Sequence, residues 1–349
     1  MKVGIVGASG YVGGELLRIL LLHEKVDVTY AASRSHIGEF VFRTHPNLRG
    51  LTDLKFQPLD VSRIAENCEL VFTAMPHGAS VNLVPKLFEK NLKVIDLGAD
   101  FRLKNPSDYA TWYGWEHPNP ELLAEAVYGL PELHRDEIKD ARLIACPGCN
   151  STATILGLAP IVKAGITKND PIVVDAKVGS SGAGSKPSPA SNYSERFGGV
   201  RPYKITGHRH VAEIEQELNA LVAKPLRIAF SAHSVNMVRG ISSTIHVFLN
   251  QEVSEGEIWK IFRSQYSNEP FIRLVKDRKG LYRLPDPKIV IGSNFCDIGF
   301  ELETRIGRLV IISAIDNMVK GASGQAVQCL NLLLGIDERT GLRSTALHP

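Results

Sequence analysis

The chain has 349 residues, which at about 150 residues per domain makes it a two-domain protein. Hydrophobic residues make up 44% and charged ones 22%, an ordinary globular balance with a core that needs no disulfide or metal. The 40 Lys and Arg against 37 Asp and Glu leave a net charge of +3, too balanced for a dedicated nucleic-acid binder. The five cysteines, Cys68, Cys146, Cys149, Cys296 and Cys329, are odd in number and scattered, which excludes a secreted disulfide framework. Apolar runs fall short of the roughly 20 residues of a membrane helix. The run from Leu16 to Leu22 is broken by Arg18 and leads to no small-residue cleavage site. These features predict a cytoplasmic protein that spans no membrane.

In chain order, residues 2–7 read as a short buried strand, followed by a Gly-rich turn and an apolar-periodic helix to about Leu22. Strands are predicted at 26–32, 70–74 and 94–97, with helical stretches near 62–67 and 79–90. This alternation implies a mostly parallel sheet with helices on both faces. The pattern changes after residue 150. A helix follows Cys149, a strand spans 171–178, and a Gly/Ser/Pro-rich stretch runs from Gly179 to Pro189. Strands at 227–232, 242–249 and 308–316, with helices at 211–223 and 254–265, then suggest an α+β unit with a partly antiparallel sheet. A last helix, 322–334, is expected to pack back on the first domain. The fold class is α/β: a Rossmann-type doubly wound domain, 1–148 plus 318–349, and an α+β catalytic and dimerisation domain, 149–317.

The turn Gly7-Ala8-Ser9-Gly10-Tyr11-Val12-Gly13 lies between a strand and a helix. Its glycines let the backbone approach a pyrophosphate, and the helix N-terminus offers N–H groups and a positive dipole end. An NAD-preferring site carries an acid at the end of the second strand. Here that strand runs into Ser33-Arg34-Ser35-His36. A hydroxyl beside a guanidinium suits a 2′-phosphate, so NADP(H) is expected; the alternative is a surface Arg with no ligand. A short-chain dehydrogenase is excluded, because no Tyr is followed by Lys four residues on.

A second centre is Cys146-Pro147-Gly148-Cys149-Asn150. Pro-Gly cannot continue a helix, and the following Asn, Ser and Thr open one. Cys149 therefore lies at a helix N-terminus, where the dipole favours a thiolate and free N–H groups at Cys149 and Asn150 can receive an oxyanion. No further ligands at matching spacing support a metal site. Cys146 is read as a packing residue. The segment Gly207-His208-Arg209-His210-Val211-Ala212-Glu213 offers a base and an orienter. His208 is placed to activate Cys149 or to protonate an aldehyde oxygen. Glu213 would hold His208 or simply complement a helix dipole. Arg209 and His210 are substrate-side candidates, and Arg209 or a Ser of 180–185, chiefly Ser181, would hold phosphate.

These motifs, with Asp96-Leu97-Gly98-Ala99-Asp100-Phe101-Arg102 and Tyr128-Gly129-Leu130-Pro131-Glu132, resemble the N-acetyl-gamma-glutamyl-phosphate reductase family, in order and over nearly the whole chain. The resemblance implies an NADP-dependent acyl-phosphate reductase of the aspartate-semialdehyde dehydrogenase group, with Cys149 as nucleophile and His208 as the active-site His. It carries Asn317 over to the nicotinamide side and Arg34 with its neighbours to the adenosine-phosphate site. It also implies a homo-oligomer, a dimer or tetramer, and inorganic phosphate as a reaction partner.

One stretch departs from the family pattern. Where a short Ser-Gly-Ala-Gly-Arg is usual, this chain reads Ser181-Gly182-Ala183-Gly184-Ser185-Lys186-Pro187 and continues through Arg196 to Lys204. It is similar to the archaeal branch that acts on 2-aminoadipate and glutamate derivatives held by an acidic amino-group carrier protein. Between Gly182 and His210 lie Lys186, Arg196, Arg201, Lys204 and Arg209 against Glu195 alone. Such a loop would steer an acidic partner. Arg43 and Arg49, around His45-Pro46-Asn47, would add to it. The competing readings are a reductase of the free acetylated substrate, aspartate-semialdehyde dehydrogenase, and a non-catalytic NADP sensor.

Overall fold

Lys2–Val6 forms strand β1, buried from Val3 onward. Helix α1 (Tyr11–Leu20) follows the Gly-rich turn, then β2 (Asp27–Ala32). After the single-turn α2 (Val41–Thr44) comes α3 (Val61–Asn67), whose N-cap Asp60 accepts from the N–H groups of Ser62 and Arg63. The chain continues through β3 (Leu70–Thr73), α4 (Val84–Glu89) and β4 (Lys93–Asp96). Next are α5 (Ser107–Tyr113), α6 (Pro120–Glu125), β5 (Val127–Tyr128), α7 (Pro131–Lys139) and β6 (Leu143–Ala145). All six strands are parallel, in the order β2-β1-β3-β4-β6-β5. The order reverses beside β1, and a doubly wound sheet binds its ligand at such a switch point.

The computed structural model describes residues 1–168 and 171–348. They form two compact units: Met1–Pro147 with Ala322–Ser344, and Gly148–Gly321 with the tail from Thr345. In the second, α8 (Cys149–Lys163) leads to β7 (Ile172–Val178), the single-turn α9 (Tyr193–Arg196), β8 (Arg201–Lys204) and α10 (His210–Asn219). Strands β9 (Ile228–Ser234) and β10 (Ile241–Phe248), helix α11 (Glu255–Tyr266), and strands β11 (Ile272–Leu274), β12 (Cys296–Glu303) and β13 (Arg308–Ile315) complete it. The seven strands make one mixed sheet, β11-β12-β13-β10-β7-β9-β8. Strands β7 and β10 alternate buried and more accessible residues, as a sheet with one covered face requires. Helix α8 covers that face and is buried almost throughout. It can seat closely because Gly157 faces β10: a Cβ there would lie 2.9 Å from Ile245 Cδ1.

A π-helical turn, Val319–Ser323, carries the chain into α12 (Gly324–Leu333), which returns to the first unit. There Ser323 Oγ donates to the Val12 carbonyl at 3.0 Å, and Gln325 donates to the Gly129 carbonyl at 2.8 Å. Among the described residues no helix is long and apolar enough to cross a membrane.

Candidate active site

In the first unit the Gly-rich turn has the shape its residues demand. Gly7 has φ +84°, and a Cβ there would meet the Ala74 carbonyl oxygen at 2.3 Å. A Cβ on Gly13 would lie 2.4 Å from Gly7 O, whereas over Gly10 the nearest atom is 3.5 Å away. The turn is therefore packed on its inner side and open above Gly10. Gly7 and Ala8 N–H groups both donate to Ala32 O, tying the turn to the end of β2. No side chain caps α1, and no acid stands in its first turn, so Tyr11, Val12 and Gly13 open the helix toward an anion. These features fit a dinucleotide pyrophosphate.

The residues after β2 divide. Ser33 is buried and donates to Ser9 Oγ at 2.9 Å, joining the β2 end to the turn. Arg34 and Ser35 are exposed, and Arg34 makes no ion pair among the described residues. His36 lies against Glu39, Nδ1 to Oε2 3.3 Å. Near the ends of β3 and β4 the Asp96–Arg102 motif forms a buried cluster. Asp96 Oδ1 accepts from the Thr73 and Ser80 hydroxyls, while Oδ2 has no hydrogen-bond partner. Burial, then the neighbouring Asp100 charge, push the Asp96 carboxyl up to about 6. Asp100 accepts from the N–H groups of Gly78, Ser80 and Val81. Arg102 donates to the Cys146 and Leu97 carbonyls at 2.7 and 3.1 Å.

In the second unit α8 begins at Cys149, immediately after the N-cap Gly148, which has no side chain of its own to cap the helix. The four other cysteines are buried and Cys149 is not. Asn150 is buried beside it, with its Oδ1 unpaired. Glu213, fully buried on α10, accepts the Gly148 N–H at 2.8 Å. His210 opens α10 and packs on Gly148 so closely that a Cβ there would lie 2.4 Å from its Nε2. Glu213 Oε1 is 4.0 Å from that same Nε2.

This corrects the expected pairing of Glu213 with His208. Positions 210 and 213 are one helical turn apart and share a face, while His208 precedes the helix. His208 instead accepts the His210 N–H on Nδ1 at 3.1 Å. Its ring lies 5.1 Å from Phe230 and 6.1 Å from Tyr203. Burial, then the Arg209 and Lys204 charges, push its pKa down to about 4. His208 is therefore neutral at pH 7, and with Nδ1 accepting, its proton is on Nε2.

Tyr203, on the edge strand β8, is a site residue the sequence reading missed. Burial of its hydroxyl, then the Cys149 charge, push it up to about 12, against the Asn150 side chain and the Arg209 charge. It therefore stays protonated beside Cys149. A four-residue strand with three of its residues exposed carries no periodic signal that could have found it.

Ser181 and Asn317 come together, Asn317 Nδ2 donating to Ser181 Oγ at 2.9 Å while its Oδ1 accepts the Gly240 N–H at 2.8 Å. The Asn317 amide thus joins two loops. Gly321 presses on Cys149, since a Cβ there would lie 2.7 Å from Cys149 Cβ. Arg209 is exposed. Of the basic loop, Arg196 is turned inward onto Ser234 and the Val235 carbonyl, and Arg201 donates to the Glu195 carbonyl. Lys186 and Lys204 remain exposed, as do Tyr193, Phe197 and Val200 of the same loop. No group of three or more metal-ligating side chains occurs among the described residues.

Residues 2–141 match the family model described as semialdehyde dehydrogenase, NAD binding domain, and residues 149–317 the one described as semialdehyde dehydrogenase, dimerisation domain. The chain is 53% identical over 349 residues to a Cenarchaeum symbiosum protein named LysW-L-2-aminoadipate/LysW-L-glutamate phosphate reductase, covering 100% of each. A Pyrobaculum aerophilum protein of the same name is 55% identical over 351 residues, again covering 100% of each. Among solved structures, aspartate semialdehyde dehydrogenase II of Vibrio cholerae, complexed with ASA, superposes with a TM-score of 0.72 at 18% identity. That likeness, over 96% of this chain and 98% of the other, is one of fold.

Proposed function

The chain belongs to the semialdehyde dehydrogenase family, and from that membership we propose that it reduces a carrier-linked aminoadipyl phosphate, glutamyl phosphate or both to the semialdehyde, releasing phosphate. The observation that carries the chemistry is Cys149, the one unburied cysteine, at the start of a fifteen-residue helix beside the His210–Glu213 pair.

The N-terminus of α8 favours negative charge on Sγ. His210 takes the thiol proton, and buried Glu213 holds the imidazole and stabilises its charged form. Sγ attacks the acyl carbon; the C–S bond forms, the bond from carbon to the phosphate oxygen breaks, and inorganic phosphate leaves. When bound, the dinucleotide supplies the hydride that reduces the resulting thioester. The tetrahedral alkoxide on Cys149 then collapses, breaking the C–S bond to give the aldehyde and restoring the thiolate. The Cys149 and Asn150 N–H groups and the protonated Tyr203 hydroxyl are donors for the oxygen while it carries charge. Arg209 and Ser181 are the groups for the departing phosphate.

The cofactor of this reading is NADP(H). Gly7, Ser9, Gly10, Tyr11, Val12 and Gly13 would receive the pyrophosphate. Ser33, Arg34 and Ser35 would receive a 2′-phosphate, because β2 ends without an acid and Arg34 is exposed and without an ion pair. The partner is an acidic carrier protein, attracted by the exposed Lys186, Lys204 and Arg209. The matched dimerisation domain supports a homo-oligomer, and five free thiols suit the cytoplasm.

The test is the reverse reaction with NADP and phosphate, offered a carrier-linked semialdehyde or free N-acetylglutamate semialdehyde. Oxidation of the carrier-linked compound is expected, and use of the free compound alone would replace this reading with ordinary acetylated-substrate reduction. The Cys149→Ala variant is expected to lose turnover by at least about a thousandfold while binding NADPH; retained turnover would remove Cys149 from the mechanism.

A further inference from the structure

His45 belongs to no motif that the chemistry uses, yet it lies against the dinucleotide turn. It follows α2, and its Nε2 is 2.8 Å from the carbonyl oxygen of Ala8. Its ring packs closely on α1 at Gly14, where a Cβ would fall 2.4 Å from Cε1 and 2.5 Å from Nδ1. It makes an edge-to-face contact with the buried Phe56 ring, 6.4 Å between centroids. Burial holds His45 below its usual pKa, against the pull of the Ala8 carbonyl, so the imidazole is neutral. A carbonyl can only accept, so the ring proton is on Nε2.

The peptide between Ala8 and Ser9 is planar, so its carbonyl and N–H point in opposite directions. Holding the Ala8 oxygen on His45 therefore aims the Ser9 N–H the other way. That N–H has no protein acceptor among the described residues. From this geometry we propose that His45 is a positioning residue of the dinucleotide site, which orients the Ala8–Ser9 peptide so that the Ser9 N–H is presented to a pyrophosphate. Gly14 is part of the same device, since any side chain there would displace the imidazole. The proposal rests on the dinucleotide reading of the Gly7–Gly13 turn.

The experiment titrates the full-length protein with NADPH, by nucleotide fluorescence, and with adenosine 2′-monophosphate, which lacks the pyrophosphate. His45→Ala is expected to weaken NADPH binding about tenfold and to leave the monophosphate within about twofold. His45→Gln, whose amide can still donate to Ala8, is expected to recover most of the loss. In turnover the defect falls on the KM for NADPH more than on kcat. Unchanged NADPH binding by His45→Ala, or equal loss of both ligands, would overturn the proposal. If His45→Ala does not fold, Gly14→Ala carries the same comparison with the imidazole present but displaced. A wild-type protein that binds no dinucleotide would overturn the cofactor reading instead.

Discussion

Glu213 has no exposed surface, yet it receives the Gly148 N–H and lies 4.0 Å from His210. A buried carboxylate is tolerated only where its lone pairs are met, and here one is met by the N–H of the residue before Cys149. That assigns different work to the two histidines. His210 touches the Cys149 turn, whereas His208 is held neutral between aromatic rings. Replacing His210 by Asn is expected to lower kcat by about a hundredfold or more, and His208→Gln to lower it by less than tenfold. His208 has its effect on acid stability. Its folded pKa lies below the unfolded value of about 6.5, so the unfolded chain binds the proton first as pH falls. Stability contributed above pH 6.5 is thus lost progressively down to about 4, and His208→Gln flattens that acid limb in urea unfolding. Equal loss of kcat in the two variants would return the catalytic role to His208. The Gly-His-Arg-His spacing was legible as a base-and-orienter segment. Which histidine the acid holds was not, because it depends on where α10 starts.

Among elements, the β-α-β rhythm of β1, α1, β2, β3 and β4 could be read from apolar runs and punctuation. Strands β5 and β6 could not, since two or three residues are too few to show a period. Strand β12 escaped for another reason: its sequence, Cys-Asp-Ile-Gly-Phe-Glu-Leu-Glu, places Asp297 in a buried position that only the Arg273 side chain of β11 makes tolerable. The π-turn Val319–Ser323 overlaps the start of the helix expected from 322 and delays the α-helix to Gly324. Its wider turn brings Gly321 onto Cys149, a close approach that no side chain permits. Gly321→Ala is therefore expected to displace Cys149, lowering kcat at least about tenfold while the far-ultraviolet spectrum stays native. Full activity in that variant would mean that α8 shifts without cost.

For the molecule as a whole, the net charge of +3 understates one face of the second unit. The loop from Lys186 to Arg209 holds five basic side chains and one acid. Two of the five, Arg196 and Arg201, fasten the loop to itself or to β9, while Lys186, Lys204 and Arg209 are exposed. The combined Lys186→Glu and Lys204→Glu change is expected to raise the KM for a carrier-linked substrate about tenfold. It should also reduce the salt dependence of that KM, with kcat little altered. A KM indifferent to both salt and charge reversal would separate the carrier from this loop.

The sequence by itself determined the α/β fold class, the Gly-rich turn between β1 and α1, the position of Cys149 at a helix start and the family. Each of those rests on residues adjacent in the chain, whose spacing dictates local geometry. Tertiary structure alone decided that Glu213 serves His210 and Gly148, that His45 turns inward onto Ala8, and that Tyr203 faces Cys149. These partners are 65, 37 and 54 positions apart or joined by packing, and burial energy rather than local spacing brings them together.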